Sequence, residues 1–414
     1  MSKRYTEYVD SGVPWLGDVP AGWTMRPLWS MFERIKDVGH PDEQMLSVFR
    51  DYGVVAKDSR DNINKTAENR NIYQLVHPGW LVTNRMKAWQ GSVGISGLRG
   101  IVSGHYICFA PRHDADSRYL NWLFRSPAYA AGYALQSRGV RIGQAEIDND
   151  LYRVMPVLLP SIEEQRAIAD FLDRETARID TLIEEQQALI RMLRERRAAT
   201  VAEALDGYEM TRLRRLVNHE RPMTYGILQC GEPVDGGVAY IGPSDIIGEG
   251  VSPERDALRT TTPEIASAYQ RSVLAGGDVV VSIGPAYGKV AVVSDDLTGA
   301  NLTQDTVRVA LRPDLVDTRF VVWALLSRQT SEYWDYQIMG ATFRRLNLGT
   351  LARTPIPLPP IDVQRSIAAY LDEQTAKIDL LIAESEQFVE LARERRAALI
   401  NAAVTGQIDV REVA

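Results

Sequence analysis

The stretch Gly284–Lys289, GPAYGK, comes nearest in this chain to a phosphate cradle. A G-x-x-x-x-G-K-[ST] loop holds nucleotide phosphates on its backbone N–H groups and a magnesium ion on its hydroxyl. Here the loop is one residue short, and Val290 stands where the hydroxyl is needed. It reads as a tight turn between strands. The five histidines (His40, His77, His105, His113, His219) form no H-x-x-x-H pair, and neither Cys108 nor Cys230 stands at zinc spacing from them. There is no G-x-S-x-G elbow and no G-x-G-x-x-G after a strand. Glu33 and Lys36, in ERIK, supply half of a nuclease-like Glu/Lys pattern with nothing beside it, and read as a solvated helix face. Carboxylates are plentiful, yet no pair stands out for acid/base work. The spacing describes no catalytic centre.

The elements around these residues are more informative. The chain has 414 residues, 45% hydrophobic and 24% charged, which suggests two or three domains of an ordinary globular kind. No apolar run approaches the ~20 residues that span a bilayer. The start, MSKRYTEYVD, lacks the apolar segment of a signal peptide, so residence in the cytoplasm is expected. Two cysteines cannot build a disulfide framework, which fits a reducing compartment. Net charge is −7, but it is unevenly spread. Residues 1–158 carry 19 Lys/Arg against 16 Asp/Glu, and 207–357 carry 15 against 17. The segments 159–206 and 358–414 are more acidic, at 7 against 11 and 6 against 10. A basic face on either larger block is therefore compatible with the total.

Two segments are near copies. LPSIEEQRAIADFLDRETARID (Leu159–Asp180) and LPPIDVQRSIAAYLDEQTAKID (Leu358–Asp379) agree at 13 of 22 positions, 199 residues apart. From Glu163 to Asp206 there is no Gly or Pro, and apolar residues recur at Ile168, Leu172, Ile179, Leu182, Leu189 and Leu193. That three-and-four spacing predicts one long amphipathic helix. Ser161 with Glu164 reads as a capping box at its start, and Gly207 as its stop. The second copy repeats the plan to about Gly406, and RERRAA occurs in both, at Arg194–Ala199 and Arg393–Ala398. Two single-stripe rods of equal length are expected to pack on one another, antiparallel.

The blocks between are strand-rich and punctuated by Gly and Pro, and they share a fainter repeat. PGWLVTNRMKAWQGSVGIS aligns with AGGDVVVSIGPAYGKVAVVS, and each is followed by a short helical stretch. The expected organisation is a block at 1–158, a helix region at 159–206, a block at 207–357, and a helix region with tail at 358–414. The fold class is α+β, a tandem pseudo-twofold duplication.

Together SGVPWLGDVPAGW (Ser11–Trp23), the two LP-x-I-x-x-Q-R copies, the paired RERRAA and NAAVTGQID (Asn401–Asp409) resemble the specificity subunit, HsdS, of type I restriction–modification systems. The resemblance covers essentially the whole chain. It implies that each block is a target recognition domain reading one half of a split, asymmetric site on double-stranded DNA. It implies that the helices form an antiparallel coiled coil that sets half-site spacing. Two adenine-methylating (M) subunits would dock on this scaffold, and ATP-dependent restriction (R) subunits would complete the endonuclease. S-adenosylmethionine, ATP and Mg would then belong to the partners, with no cofactor and no catalysis in this chain.

Under that reading, polar residues of Gly-rich loops are the candidates for DNA contact. In block one these are Thr83, Asn84, Arg85, Lys87, Arg138, Arg141 and Gln144; in block two, Ser282, Tyr287, Lys289, Arg344, Arg345 and Asn347. Arg and Lys can bond guanine and Asn or Gln adenine, at ~1–3 kcal/mol of discrimination per good pair. The candidates for partner contact are Gln165, Arg166, Arg194, Arg196 and Arg197, with Gln364, Arg365, Arg393, Arg395 and Arg396; the Gln-Arg copies could instead cap the opposing helix end, and the RERRAA arginines could instead meet DNA phosphates. Trp80, Trp89, Trp122, Trp323 and Trp334 are expected in the core rather than stacked on bases.

Overall fold

A computed structural model describes residues 4–59, 69–139, 145–339 and 344–411. The chain divides into two compact units, Met1–Gln187 with Gln387–Ala414, and Ala188–Glu386. Each holds one block and a segment of both long helices.

In the first unit a four-stranded sheet is built from β1 (Phe32–Ile35), β2 (Leu81–Asn84), β3 (Val93–Ile95) and β4 (Tyr106–Pro111), in the order β1-β4-β2-β3. Its pairs are antiparallel, with Cys108 opposite both Ile35 and Val82. Glu33 thus lies on a strand, not on the helix face expected of it, because Phe32–Ile35 pairs along Tyr106–Pro111 with Glu33 opposite Ala110. After the sheet come α1 (Ser117–Arg125) and α2 (Pro127–Leu135). Asp116 caps α1 by accepting from the N–H groups of Arg118 and Tyr119, and Ser126 caps α2 at Tyr129, each worth about 1 kcal/mol. A strand at Pro156–Leu159 pairs with Thr24–Pro27 and leads into α3 (Ile162–Leu205).

The second unit repeats the sheet with β5 (Thr224–Tyr225), β6 (Val279–Ser282), β7 (Val290–Val292) and β8 (Thr306–Val309), in the order β5-β8-β6-β7. The helices α4 (Thr318–Leu326) and α5 (Arg328–Gln337) follow, capped by Asp317 and Ser327. A strand at Pro355–Pro357 pairs with Met210–Arg212 and leads into α6 (Ile361–Val404).

The long helices each have 44 residues, or about 65 Å at 1.5 Å per residue. Gly207 and Gly406 lie just past their ends at φ 79° and 74°, the left-handed geometry that ends a helix. The capping box at Ser161 is half formed. Ser161 accepts from the Glu164 N–H at 3.2 Å, but the Glu164 carboxylate turns to Tyr5, whose hydroxyl donates to it at 2.5 Å.

In both units the helix segments run antiparallel. In the first, Ile168, Ala169 and Leu172 of α3 share a core with Ile400, Ala403 and Val404 of α6. In the second, Val201 and Leu205 share a core with Ala368 and Leu371. Of the five tryptophans expected inside, Trp122, Trp323 and Trp334 are buried, Trp80 is partly buried, and half-buried Trp89 donates to the Met86 carbonyl.

Candidate nucleic-acid interface

Each block gathers polar side chains where the loop after its central strand meets the segment after its second short helix. In the first unit, Asn84, Arg85 and Lys87 follow β2. Arg138 lies on a two-residue strand that pairs with Glu146–Ile147. Glu146 forms an ion pair with Arg85, Asp148 lies 3.4 Å from Arg138, and the Ile147 N–H donates to the Arg85 carbonyl at 3.1 Å. Two carboxylates thus draw two arginines to one edge. Asn84 stays half-buried, accepting from the Met86 N–H, while Lys87 is exposed. Asn84 and Lys87 line a cleft of about 730 Å³ with Trp89, Gln90 and Tyr106.

In the second unit Tyr287 donates its hydroxyl to Asp335 at 2.5 Å, and this bond to a carboxylate pushes the phenol pKa up. The charge of Arg344 acts on the same phenol in the opposite direction. Arg345 pairs with Asp305 at 2.9 Å and donates to the Gln304 carbonyl at 3.0 Å. Lys289 donates to the Pro243 carbonyl at 2.9 Å. Arg345 and Asn347 line a cleft of about 340 Å³ with Tyr225 and Leu228.

Three of the expected DNA contacts have internal roles. Thr83 is fully buried, its hydroxyl 2.7 Å from that of Tyr152. Ser282 is fully buried as well. Its hydroxyl donates to the Ala286 carbonyl and accepts from the Lys289 N–H, which closes the GPAYGK turn. Both strands are covered on both faces, so either side of the pleat is buried. Asn347 is exposed, but its carbonyl accepts from the Thr350 N–H and caps a short helix. Arg141 and Gln144 lie outside the described residues.

The glutamines expected to face a partner are also internal. Gln165 is 4% exposed and Gln364 fully buried. Gln165 accepts from the Asp116 N–H at 2.9 Å and donates to the Pro160 carbonyl. Gln364 accepts from the Asp317 N–H at 2.9 Å and donates to the carbonyls of Pro359 and Leu315. Each long helix thereby holds the residue that caps the first short helix of its block. A buried amide demands such partners. Arg166, Arg365, Arg196 and Arg395 are exposed. Arg194 pairs with Glu386 and Arg393 with Glu390, both at 2.7 Å. Arg197 and Arg396 cross to the other long helix, at Asp379 and Asp180.

One contact set was missed in the sequence. Trp122 donates its indole N–H to Asp173 at 2.8 Å, and Trp323 donates to Asp372 at 2.9 Å. Arg118 joins Asp173 and Asp170, and Arg319 joins Asp372. Arg396 lies over the Trp122 ring and Arg197 over the Trp323 ring. The signal was available: Asp-x-Arg-x-x-x-Trp occurs at both Asp116–Trp122 and Asp317–Trp323.

No cluster of three or more metal-ligating side chains occurs among the described residues, and no helix described is long and apolar enough to cross a membrane.

The fold and its polar edges define a class of protein: two like blocks of differing surface, each fastened to an antiparallel pair of helix segments. Residues 234–389 match the family described as type I restriction modification DNA specificity domain. The EcoBI specificity subunit of Escherichia coli is 27% identical over 249 residues, 53% of this chain and 52% of that one. The match therefore spans about half the length of that relative. The MjaVIII specificity subunit of Methanocaldococcus jannaschii is 22% identical over 355 residues, 78% of this chain and 79% of its own. A chain solved in work on complex assembly and conformational transition of the type I R-M system has the same fold, with a TM-score of 0.71 at 15% identity. That likeness covers 93% of this chain and 98% of the other. The HsdS subunit of Thermoanaerobacter tengcongensis gives a TM-score of 0.53 at 17% identity, over 94% and 98%. Residues 234–389 thus carry the match to that family's model, and the chain is similar to type I specificity subunits in sequence and in fold.

Proposed function

We propose that this chain is the DNA sequence-recognition and scaffolding subunit of a type I restriction–modification complex, acting in the cytoplasm. Each block reads one half of a bipartite, asymmetric site. The long helices set the spacing and dock two methyltransferase subunits, which restriction subunits join. The chain itself performs no catalysis; methyl transfer and ATP-dependent cleavage belong to those partners.

The observation that carries this reading is one sheet order and one helix pair, built twice on like helix segments, with different polar residues at the two loop edges. A dimer of identical chains mirrors its symmetry in a palindrome. Two diverged copies in one chain keep like docking surfaces while the half-sites differ. A stiff helix fixes a distance that a flexible linker would blur. At the edges, Arg85, Lys87, Arg138, Tyr287, Lys289, Arg344 and Arg345 supply the DNA contacts, some to bases and some to phosphate only. Arg166, Arg194, Arg196, Arg365, Arg393 and Arg395 supply the polar rim of the partner surface.

The test is co-expression of the tagged chain with its methylating subunit. A complex of one to two that binds a defined duplex supports the reading. A monomer that recruits no such subunit, or an isolated chain that methylates or cleaves DNA with S-adenosylmethionine and Mg, overturns it.

A further inference from the structure

In each unit a turn of the block reaches the tryptophan that fastens it to the long helices. In the first, the strands Leu46–Phe49 and Gly53–Ala56 form a hairpin that turns at 50–52. In the second, Glu249 and Gly250 come to the equivalent place. Both glycines hold positive φ, 69° at Gly53 and 73° at Gly250. A Cβ on Gly53 would meet Asn121 at 3.4 Å, and one on Gly250 would meet Val322 at 2.7 Å. Asn121 and Val322 stand 201 positions apart, as Trp122 and Trp323 do. The residues just before the glycines, Tyr52 and Glu249, therefore correspond.

The two turns treat the crossing arginine differently. In the second unit Glu249 adds a carboxylate to Arg197, which then has two, counting Asp379. In the first unit the turn brings no carboxylate to Arg396, and among the described residues its ion partner is Asp180 alone. Arg125 stands nearby instead, at the end of α1, where the second unit has Leu326. Arg125 and Arg396 both lie over the Trp122 ring, 5.4 and 5.9 Å from its centre. Arg125 donates to the main-chain carbonyls of Arg50 and Asp51, and no carboxylate pairs with it among the described residues. Burial, and then the charge of Arg396, push its pKa down to about 10, with Asp51 pulling weakly the other way. Arg50 is exposed and likewise has no ion partner among the described residues.

Arg50, Arg125 and Arg396 line one cleft of about 640 Å³ beside Trp122. The second unit shows which acceptor such a place takes: one carboxylate on a side chain. Asp51, Asp180 and Glu184 line the cleft as well. They repel a duplex, which carries a charge every ~1.7 Å. A single carboxylate held in a guanidinium fork is still accommodated. The remaining walls come from segments of both long helices, the surface assigned above to the methylating subunits.

Resting on that docking function, we infer that the cleft is a socket for one acidic side chain, Asp or Glu, of a methylating subunit, received by Arg125, Arg50 and Arg396. The second unit fills the equivalent place with its own Glu249. The two docking faces are thereby unequal, one holding its subunit by a salt bridge that the other lacks.

The experiment titrates the full chain with its methylating subunit and counts bound copies by native mass spectrometry. Tyr52→Glu gives the first turn the carboxylate that the second turn carries, and Tyr52→Gln is its uncharged counterpart. One of the two subunits is expected to bind Tyr52→Glu roughly tenfold more weakly, while Tyr52→Gln binds both as the wild type does. Arg125→Leu installs the second unit's residue and is expected to give the same single loss, its urea midpoint showing that it folds. If it does not fold, the Tyr52 pair decides. Wild-type binding by Tyr52→Glu or by folded Arg125→Leu overturns the inference, and so does equal loss from both Tyr52 variants. Retention of both subunits with weaker duplex binding and a salt slope smaller by about one also overturns it, because the occupant is then a phosphate. A wild-type chain that recruits no methylating subunit overturns the functional reading instead.

Discussion

Arg396 and Asp180 meet with 2.8 Å between Nε and Oδ1, and Arg197 and Asp379 meet through the same two atoms at the same 2.8 Å. Each residue of one pair stands 199 positions from its counterpart in the other. The contact between the two long helices is thus made twice, once in each unit, with donor and acceptor exchanged between helices. Arg197 also reaches Glu249 at 2.5 Å, an addition that the first unit's pair does not share.

These pairs are half-exposed on the carboxylate side, so their strength is modest. A double-mutant cycle on Arg396→Ala and Asp180→Ala, read by urea unfolding, is expected to give a coupling of about 0.5–1 kcal/mol. Arg197 and Asp379 should give a similar or larger value because of Glu249. Zero coupling at both sites would show that the pairing geometry contributes nothing to holding the helices.

The buried glutamines carry more. Gln165→Leu or Gln364→Leu leaves the N–H of a helix cap without its acceptor, at a cost of about 1–3 kcal/mol. Chemical denaturation should show that loss in either variant, with binding of the methylating subunit retained. A stable variant that fails to assemble would return the glutamines to the partner surface.

Legibility in the sequence followed the physics of each element. The long helices were plain because period and capping signals agreed over 44 residues each. Both strand-rich blocks were visible from Val-rich runs between Gly and Pro. Side-chain direction was not. Thr83 and Ser282 looked like loop polar groups, yet each lies at the end region of a strand that is packed on both faces. Gln165 and Gln364 sit in a repeated phrase, which shows that a position is reused without showing which way it faces.

The tryptophan junctions place each block on its helix. Trp122→Phe removes the bond to Asp173 but keeps the ring beneath Arg396 and Arg125. A stability loss of about 1 kcal/mol is expected. If the junction orients the block, the variant complex should also accept targets whose spacer is one base pair longer or shorter. Duplexes of graded spacer length, tested for methylation, check this; an unchanged spacing preference assigns the junction to stability alone.

Acid should act through His113. Burial, with Arg26 nearby, pushes its pKa below the usual histidine value, and its Nδ1 accepts from the Ala115 N–H. The unfolded chain therefore binds this proton more readily than the folded one. The contribution is present above the unfolded pKa of about 6.5 and is lost as pH falls towards the lower folded value. The urea midpoint should drop below pH 6.5, and His113→Gln should remove that part of the drop.

The central claim is that each block reads one half-site by itself. Methylome sequencing of cells carrying the complete system, before and after residues 1–158 are exchanged for the corresponding block of a relative, tests it most directly. The account predicts a bipartite motif in which one half changes while the other half and the spacer length stay the same. Simultaneous change of both halves, or a motif indifferent to the exchange, would contradict it.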